Sequence, residues 1–88
     1  MTTVVGRHKV GDFNTWLKGH QDRVELFATS VSSFKTFQDA DDPNSIVLVL
    51  EVTDMEKFKA MLERPDSLEA QKRHTVLRPI IVSMPVEV

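Results

Sequence analysis

The sequence predicts an α+β protein whose elements run in the order β-α-β-β-α-β. Residues 2–10 and 30–38 divide at period two into two faces, with Val4, His8 and Val10 on one face of the first stretch, which predicts strands. Residues 13–28 and 55–64 repeat apolar side chains at steps of three and four, which is typical of amphipathic helices. Residues 46–52 are apolar on both faces until Glu51, which indicates a strand covered on both sides.

Two glycines lie at informative positions in the first strand and the first helix. Gly6 lies within the strand, where it indicates a bulge, a close backbone approach or an ordinary strand glycine. Gly19 lies within the helix that Asp12 is expected to cap. A glycine inside a helix costs up to about 1 kcal/mol relative to alanine. Its presence predicts that another group packs closely against the helix at this point.

The second half of the chain carries two capping-box spacings and then a strand. Thr53-Asp-Met-Glu and Asp66-Ser-Leu-Glu each predict the start of a helix. Pro65 should end the first of these helices near residue 64, and the second is expected to reach about residue 74. Residues 75–88 are rich in β-branched side chains but contain two prolines, which predicts an edge or irregular strand.

This order of elements is that of a ferredoxin-like fold with a four-stranded antiparallel sheet, and we expect one domain spanning residues 1–88. Two helical crossovers cover only one face of such a sheet. The strand at 46–52 nevertheless predicts that both faces of the sheet are shielded from solvent. A large apolar face left open promotes aggregation. We therefore expect a homodimer in which two sheet faces pack across a two-fold axis.

Composition excludes several classes of function. The chain has 88 residues, of which 41% are hydrophobic and 27% charged, as in ordinary globular proteins. It has no cysteine, which excludes disulfides, thiol catalysis, zinc–thiolate sites and iron–sulfur clusters. With a net charge of −2, the chain lacks the excess positive charge that binding to nucleic acid phosphates requires. No apolar run approaches the ~20 residues of a membrane helix and no leader is visible, so we expect a cytoplasmic protein with no membrane partner.

Three runs of residues carry a family resemblance over about residues 4–79. They are HKVGDFNTW at 8–16, DDPN at 41–44 followed by IVLVLEV at 46–52, and the Thr53-Asp54 pair that opens a helix. Together they resemble the dimeric α+β-barrel superfamily, and within it the small proteins grouped with antibiotic-biosynthesis-type monooxygenases and related cyclases. The resemblance implies a dimeric α+β barrel with a pocket between the sheet and the helices of each subunit.

The resemblance implies a small-molecule site but does not fix the chemistry. Its members include cofactor-independent quinone-forming monooxygenases, polyketide cyclases, haem-degrading enzymes and muconolactone isomerases. Several of the monooxygenases and cyclases are thought to use tyrosine, which this chain lacks. We expect a cofactor-independent monooxygenase or cyclase acting on an aromatic or polyketide-like molecule. The alternative is a non-catalytic dimer that binds a small ligand or regulates, of which an amino-acid-binding domain of the ACT type is one variant.

The candidate catalytic residues are histidines, because a neutral imidazole can accept a proton near neutral pH. We predict His8 and His20 in this role, and we predict no cofactor and no metal, since the histidines lie on separate elements without a ligand spacing. His74 should instead act as a cation at a helix C-terminus. The predicted pocket-lining residues are Trp16, Phe34, Phe37 and Phe58. The alternative for the first strand's histidine is a satisfied structural residue, and for the aromatics an ordinary core.

Overall fold

The computed structural model describes residues 1–88. The strands are β1 (Thr2–Val10), β2 (Val31–Gln38), β3 (Ser45–Val52) and β4 (Val76–Ser83). The helices are α1 (Phe13–Lys18), α2 (His20–Phe27), α3 (Met55–Glu63) and α4 (Pro65–Arg73). The chain order is therefore β-α-α-β-β-α-α-β, which confirms the predicted ferredoxin-like α+β class with two short helices in each crossover.

The four strands form one antiparallel sheet in the order β2-β3-β1-β4. β4 lies at an edge, as its prolines predict, and its pairing with β1 shifts register between Arg7 and Lys9. Gly6 pairs regularly with Leu48 and lies outside this shift. A Cβ on Gly6 would contact Leu50 at an ordinary 3.8 Å. Of the three interpretations of Gly6, the structure supports an ordinary strand glycine.

The first crossover contains a break that the helical periodicity did not predict. α1 ends at Lys18 and α2 begins at His20, so the prediction of one continuous helix was wrong. At the break, a Cβ built on Gly19 would lie only 2.5 Å from Nδ1 of His74. The expected close approach to Gly19 is therefore confirmed, and the group that approaches is an imidazole ring from the far end of α4.

The second crossover breaks at a proline, as predicted. α3 ends at Glu63, and Arg64 is extended (φ −66°, ψ 146°) before Pro65 opens α4 as its first residue. Proline suits this position because its missing N–H would have no partner in the first turn. The sequence predicted Asp66 as the residue before the helix, but α4 begins one residue earlier, at Pro65. The Asp66 carboxylate instead accepts hydrogen bonds from the Arg64 side chain.

Helix capping follows the predicted pattern with one displacement. The predicted N-cap Thr53 lies one residue too early, because the Asp54 carboxylate accepts the hydrogen bond from the Lys57 backbone N–H at 3.1 Å. Asp12 precedes α1 as expected. Its carboxylate accepts a hydrogen bond from the Thr15 hydroxyl at 2.6 Å rather than from a backbone N–H.

The helices cover one face of the sheet and leave the other open. On β3, the even-numbered residues from Ile46 to Val52 face the helices and are buried, whereas Val47 and Val49 face the other way and are half-buried. The register places Phe37 and Ile81, both exposed, in the same cross-strand row as Val47. The open face thus carries the apolar side chains that the composition of β3 predicts, with the exposed Arg7 between Val47 and Ile81 in the same row. None of the helices is long and apolar enough to span a membrane.

Candidate functional site

A cavity of about 70 Å³ lies between the sheet and the helices, with walls from β1, β3, β4 and all four helices. Eleven of its seventeen lining residues are hydrophobic. The polar ones are His8, Arg23, Ser67, Gln71 and His74. A buried water needs roughly 10–15 Å³, whereas sites for drug-sized ligands measure about 300–1,000 Å³. The cavity therefore accepts a small group as it stands, and a larger ligand requires its walls to move.

The structure brings three of the predicted site residues together at this cavity. His8, Trp16 and Phe58 all line it. His20 lies outside it, exposed at the start of α2, with its ring 5.6 Å from that of Phe34. Phe34 is half-buried and packs edge-on against Phe27. Phe37 has the opposite strand parity and lies on the open face, 48% exposed.

His8 is held in one tautomer by the backbone. Its Nδ1 lies 3.0 Å from the carbonyl oxygen of Lys9, and since a carbonyl only accepts, Nδ1 carries the proton and Nε2 keeps its lone pair. Burial lowers the pKa of His8, the Lys9 carbonyl opposes this, and the charge of Arg23 lowers it further. The imidazole is therefore neutral at pH 7, with Nε2 available as an acceptor. Its ring stands edge-on to Trp16 at 5.9 Å.

Arg23 places a buried cation in the same cavity wall. Its guanidinium carbon lies 3.8 Å from the centroid of the Trp16 ring, a cation–π arrangement. The residue is 7% exposed, and Nε, Nη1 and Nη2 all lack a hydrogen-bond partner. Burial lowers the pKa of Arg23 to about 10, with Asp22 opposing the shift. The side chain therefore stays charged at neutral pH.

His74 completes the polar side of the cavity and lies at the C-terminus of α4 as predicted, but its environment disfavours the predicted cationic form. Its Nε2 lies 3.2 Å from a carboxylate oxygen of Asp22, and the residue is buried at the end of α4. Burial lowers the pKa of His74, and Arg23 and Arg73 lower it further, while Asp22 opposes them. The imidazole is accordingly neutral at pH 7. Nowhere in the chain do three His, Asp or Glu side chains lie close enough together to hold a metal ion.

Comparison with known proteins gives matches among solved structures only. No protein-family model and no curated protein matches the sequence. A crystal structure of an antibiotic biosynthesis monooxygenase superimposes with a TM-score of 0.71 at 15% identity, covering 100% of this chain and 99% of that one. SnoaB, a cofactor-independent oxygenase from Streptomyces nogalater, gives 0.72 at 18% identity, covering 99% and 94%. Rv0793 from Mycobacterium tuberculosis gives 0.58 at 16% identity over 99% and 94%.

The chain has the antibiotic biosynthesis monooxygenase fold. The family resemblance inferred from the sequence is thereby confirmed at the level of the fold. Identities of this size carry no residue roles, so the chemistry of the site rests on the residues of this chain.

Of the polar residues of the cavity, only His8 was predicted as a site residue, and Arg23, Ser67, Gln71 and His74 were not. Arg23 lies seven residues after Trp16, which places it on the same helical face, and this spacing was the available signal. His74 gave no such signal, because only the folded chain brings it against Gly19. In the antibiotic biosynthesis monooxygenase fold of this protein, the polar groups of the cavity thus come from β1, α2 and α4 together.

Proposed function

We propose that this protein is a cofactor-independent monooxygenase that oxidises an aromatic or polyketide-like small molecule in the cavity, and that it works as a homodimer. The observation that carries the proposal is the state of His8. A neutral imidazole with a fixed tautomer and an unpartnered Nε2 is a general base ready to accept a proton. It lies beside Trp16 in a wall that is mostly hydrophobic, as a flat apolar substrate requires.

In the proposed reaction, Nε2 of His8 takes a proton from a carbon that is flanked by aromatic rings or carbonyl groups. The resulting substrate anion reacts with O₂ at that carbon and forms a peroxide anion. His8 returns its proton, which gives a hydroperoxide. Loss of the remaining hydrogen of that carbon together with OH gives a carbonyl group and water, so one oxygen atom enters the product and the other leaves as water.

The residues around His8 support this sequence of steps through position and environment. The Lys9 carbonyl fixes the orientation of the ring, which holds the base in place before substrate binds. The hydrophobic walls exclude water, which strengthens the interactions of charges formed inside. The fold adds support, because one of its solved representatives is described as a cofactor-independent oxygenase.

Oxygen uptake tests the proposal directly. Purified protein is mixed with dithranol, a hydroxylated anthrone, and oxygen consumption is followed after subtraction of the uncatalysed rate. His8→Gln should lower kcat by about 10²–10⁴, the usual contribution of a general base. His20→Gln is the matched control, because this exposed histidine lies outside the cavity, and it should keep the wild-type rate. Equal rates in the two variants would contradict the role of His8.

The pH dependence of the same reaction offers an independent check. A protonated imidazole has no lone pair at Nε2, so kcat/KM should fall as the pH drops through the pKa of His8, which lies below its ordinary value. His8→Gln should remove this acidic limb from whatever activity remains. A limb that persists in the variant would assign the base to another group.

The homodimer is supported by the open face of the sheet. Val5, Val47 and Val49 are half-buried there, and Phe37 and Ile81 are exposed in the row that contains Val47. A two-fold axis would pair this stripe with its own copy. Native mass spectrometry should show twice the 10.0 kDa chain mass. Val47→Glu should give monomers, because it would bury a carboxylate in the interface. A monomeric wild-type chain would overturn the dimer without touching the site.

The second candidate is a non-catalytic dimer that binds a small ligand. The observation that favours it is the modest volume of the cavity, about 70 Å³. It predicts that ligands raise the thermal stability of the protein while no oxygen is consumed. Wild-type oxygen uptake that His8→Gln abolishes would exclude it.

A further inference from the structure

The unpartnered polar atoms of the buried side chains concentrate in one place. Five such atoms lack a hydrogen-bond partner, and four of them belong to Arg23 and Trp16. All four are N–H groups, which can donate but cannot accept. Both side chains line the cavity, and they are in contact with each other. Several unused donors and a positive charge therefore belong to residues that line the cavity, and a ligand reaches them when the walls move.

No carboxylate of the chain forms an ion pair or a hydrogen bond with this guanidinium, and Asp22 acts on it only through its electrostatic field. The seventeen lining residues include no Asp or Glu. Asp22 is adjacent to Arg23 in sequence, but its carboxylate faces His74 and Arg73, at 3.2 and 3.4 Å. His8 and His74 are neutral or cationic in any state, so neither supplies a negative charge. A buried charge without a partner is strongly unfavourable, and native structures hold few such groups.

A second copy of the chain on the open face would not supply the missing anion either. The guanidinium lies on the helix-covered side of the sheet, where it packs against Trp16 of α1. The four strands separate it from the open face. The partner for Arg23 must therefore enter the cavity itself.

We infer that the cavity binds an organic anion, a planar carboxylate, phenolate or enolate whose oxygen atoms accept hydrogen bonds from Arg23 and whose ring is covered by the hydrophobic walls. Guanidinium groups suit such ligands because their donors form a rigid, planar fork that matches two oxygen atoms. The inference rests on the proposed function, which places the substrate in this cavity. It adds the substrate class, namely acidic molecules or molecules that become anions on binding.

The only tryptophan of the chain makes a direct test possible. The sequence has one Trp and no Tyr, so tryptophan fluorescence reports on Trp16 alone, beneath the Arg23 guanidinium. Full-length protein is titrated at constant ionic strength with benzoate, with pentafluorophenolate and with benzamide, the uncharged counterpart of benzoate. We expect saturable emission changes with both anions at affinities at least about tenfold higher than with benzamide. Equal affinity for benzoate and benzamide would overturn the inference.

Two substitutions separate recognition of the anion from general packing. Arg23→Met removes the charge at similar volume and should abolish the preference for benzoate over benzamide. Lys18→Met, which removes an exposed positive charge from the neighbouring helix, should leave that preference intact. Arg23→Lys keeps the charge without the fork and should retain part of the preference, which keeps the test valid if the methionine variant folds poorly.

Stability without ligand provides a second readout. Arg23→Met should unfold at a higher temperature than the wild-type protein, because it removes an unpaired buried charge. A less stable variant that still prefers benzoate would assign Arg23 to packing against Trp16 alone and overturn the inference.

The outcomes also separate this inference from the proposed activity. Anion binding that depends on Arg23 without oxygen uptake would leave the inference standing and overturn the monooxygenase. If the protein shows no preference for anions and Arg23→Met leaves oxygen uptake unchanged, the monooxygenase would stand and the inference would be overturned.

Discussion

The two crossovers each contain a pair of short helices, but the helices break for different reasons. Between α3 and α4, Arg64 is extended and Pro65 starts the next helix, so the break follows from local backbone chemistry. Between α1 and α2, Gly19 has no unusual backbone angle (φ −83°, ψ 7°). There the imidazole of His74, from the other half of the chain, occupies the space that a side chain on residue 19 would need.

The difference explains where the site lies. The break at Pro65 only redirects the chain. The break at Gly19 lies between Trp16 and Arg23, the two side chains that stack in the cavity wall, and it admits His74 beside them. A contact between the two halves of the fold thus positions the polar groups of the cavity, whereas the proline break serves the connection alone.

The largest expected effect comes from filling the space at Gly19. In Gly19→Ala the new Cβ would lie less than 3.0 Å from three atoms of the His74 ring, so the ring or the helices must move. We expect a loss of about 3 kcal/mol in the free energy of unfolding, at the upper end of the usual cost of overpacking a well-packed region. Chemical denaturation at fixed protein concentration measures it.

The matched control for this substitution is the double variant Gly19→Ala/His74→Ala. Removing the ring should make the alanine at position 19 neutral or favourable, so the two substitutions should be strongly non-additive. Additive losses would show that the break at Gly19 does not depend on His74.

We expect a change in pH to have an intermediate effect on the free energy of unfolding. The pKa values of His8 and His74 are both lowered in the folded protein, so the unfolded chain binds more protons when the pH falls below about 6.5. Stability should be fully present above that pH and should fall as the pH drops through it toward the lower folded pKa values. His74→Gln should reduce this slope, by at most about 1.4 kcal/mol per pH unit. Identical slopes for the two proteins between pH 7.5 and 5 would contradict the assignment.

We expect the smallest effect on the free energy of unfolding from a substitution at the break between α3 and α4. Pro65→Ala removes a preset φ angle at a position where alanine fits equally well, so the loss should be roughly 0.4–1 kcal/mol. Denaturation measured in parallel with Gly19→Ala gives the comparison. A loss as large as that of Gly19→Ala would mean that the second break also depends on contacts between the halves.

The sequence predicts most of the fold because the relevant signals are local. Alternation in β1 and β2 and the capping residues of α3 are interactions between near neighbours, and so is the proline before α4. The apolar parity of β3 also predicts the open face of the sheet. The error at Thr53 is one residue, because Thr53 and Asp54 are both good N-caps and only tertiary context chooses between them.

The site is predicted only in part, for the opposite reason. Strand parity and helix spacing point His8, Trp16 and Phe58 toward the helix–sheet interior, where the cavity lies. Arg23 is a charged residue on an apolar helix face. Sequence patterns identify buried positions by their apolar residues, so they do not identify Arg23 as buried. His74 reaches the cavity through a contact with Gly19, a residue of the other half, and no periodicity encodes such a contact.

The position of β1 in the sheet determines when the cavity can exist. β1 is the first strand of the chain but lies inside the sheet, between β3 and β4. During synthesis it has no strand to pair with until residues 45–52 have emerged, whereas β2 and β3 can pair across a short turn as soon as both are present. The walls of the cavity include Val76, Ile80 and Val82 of β4. The cavity therefore cannot bind a ligand until β4 has been synthesised and has joined β1.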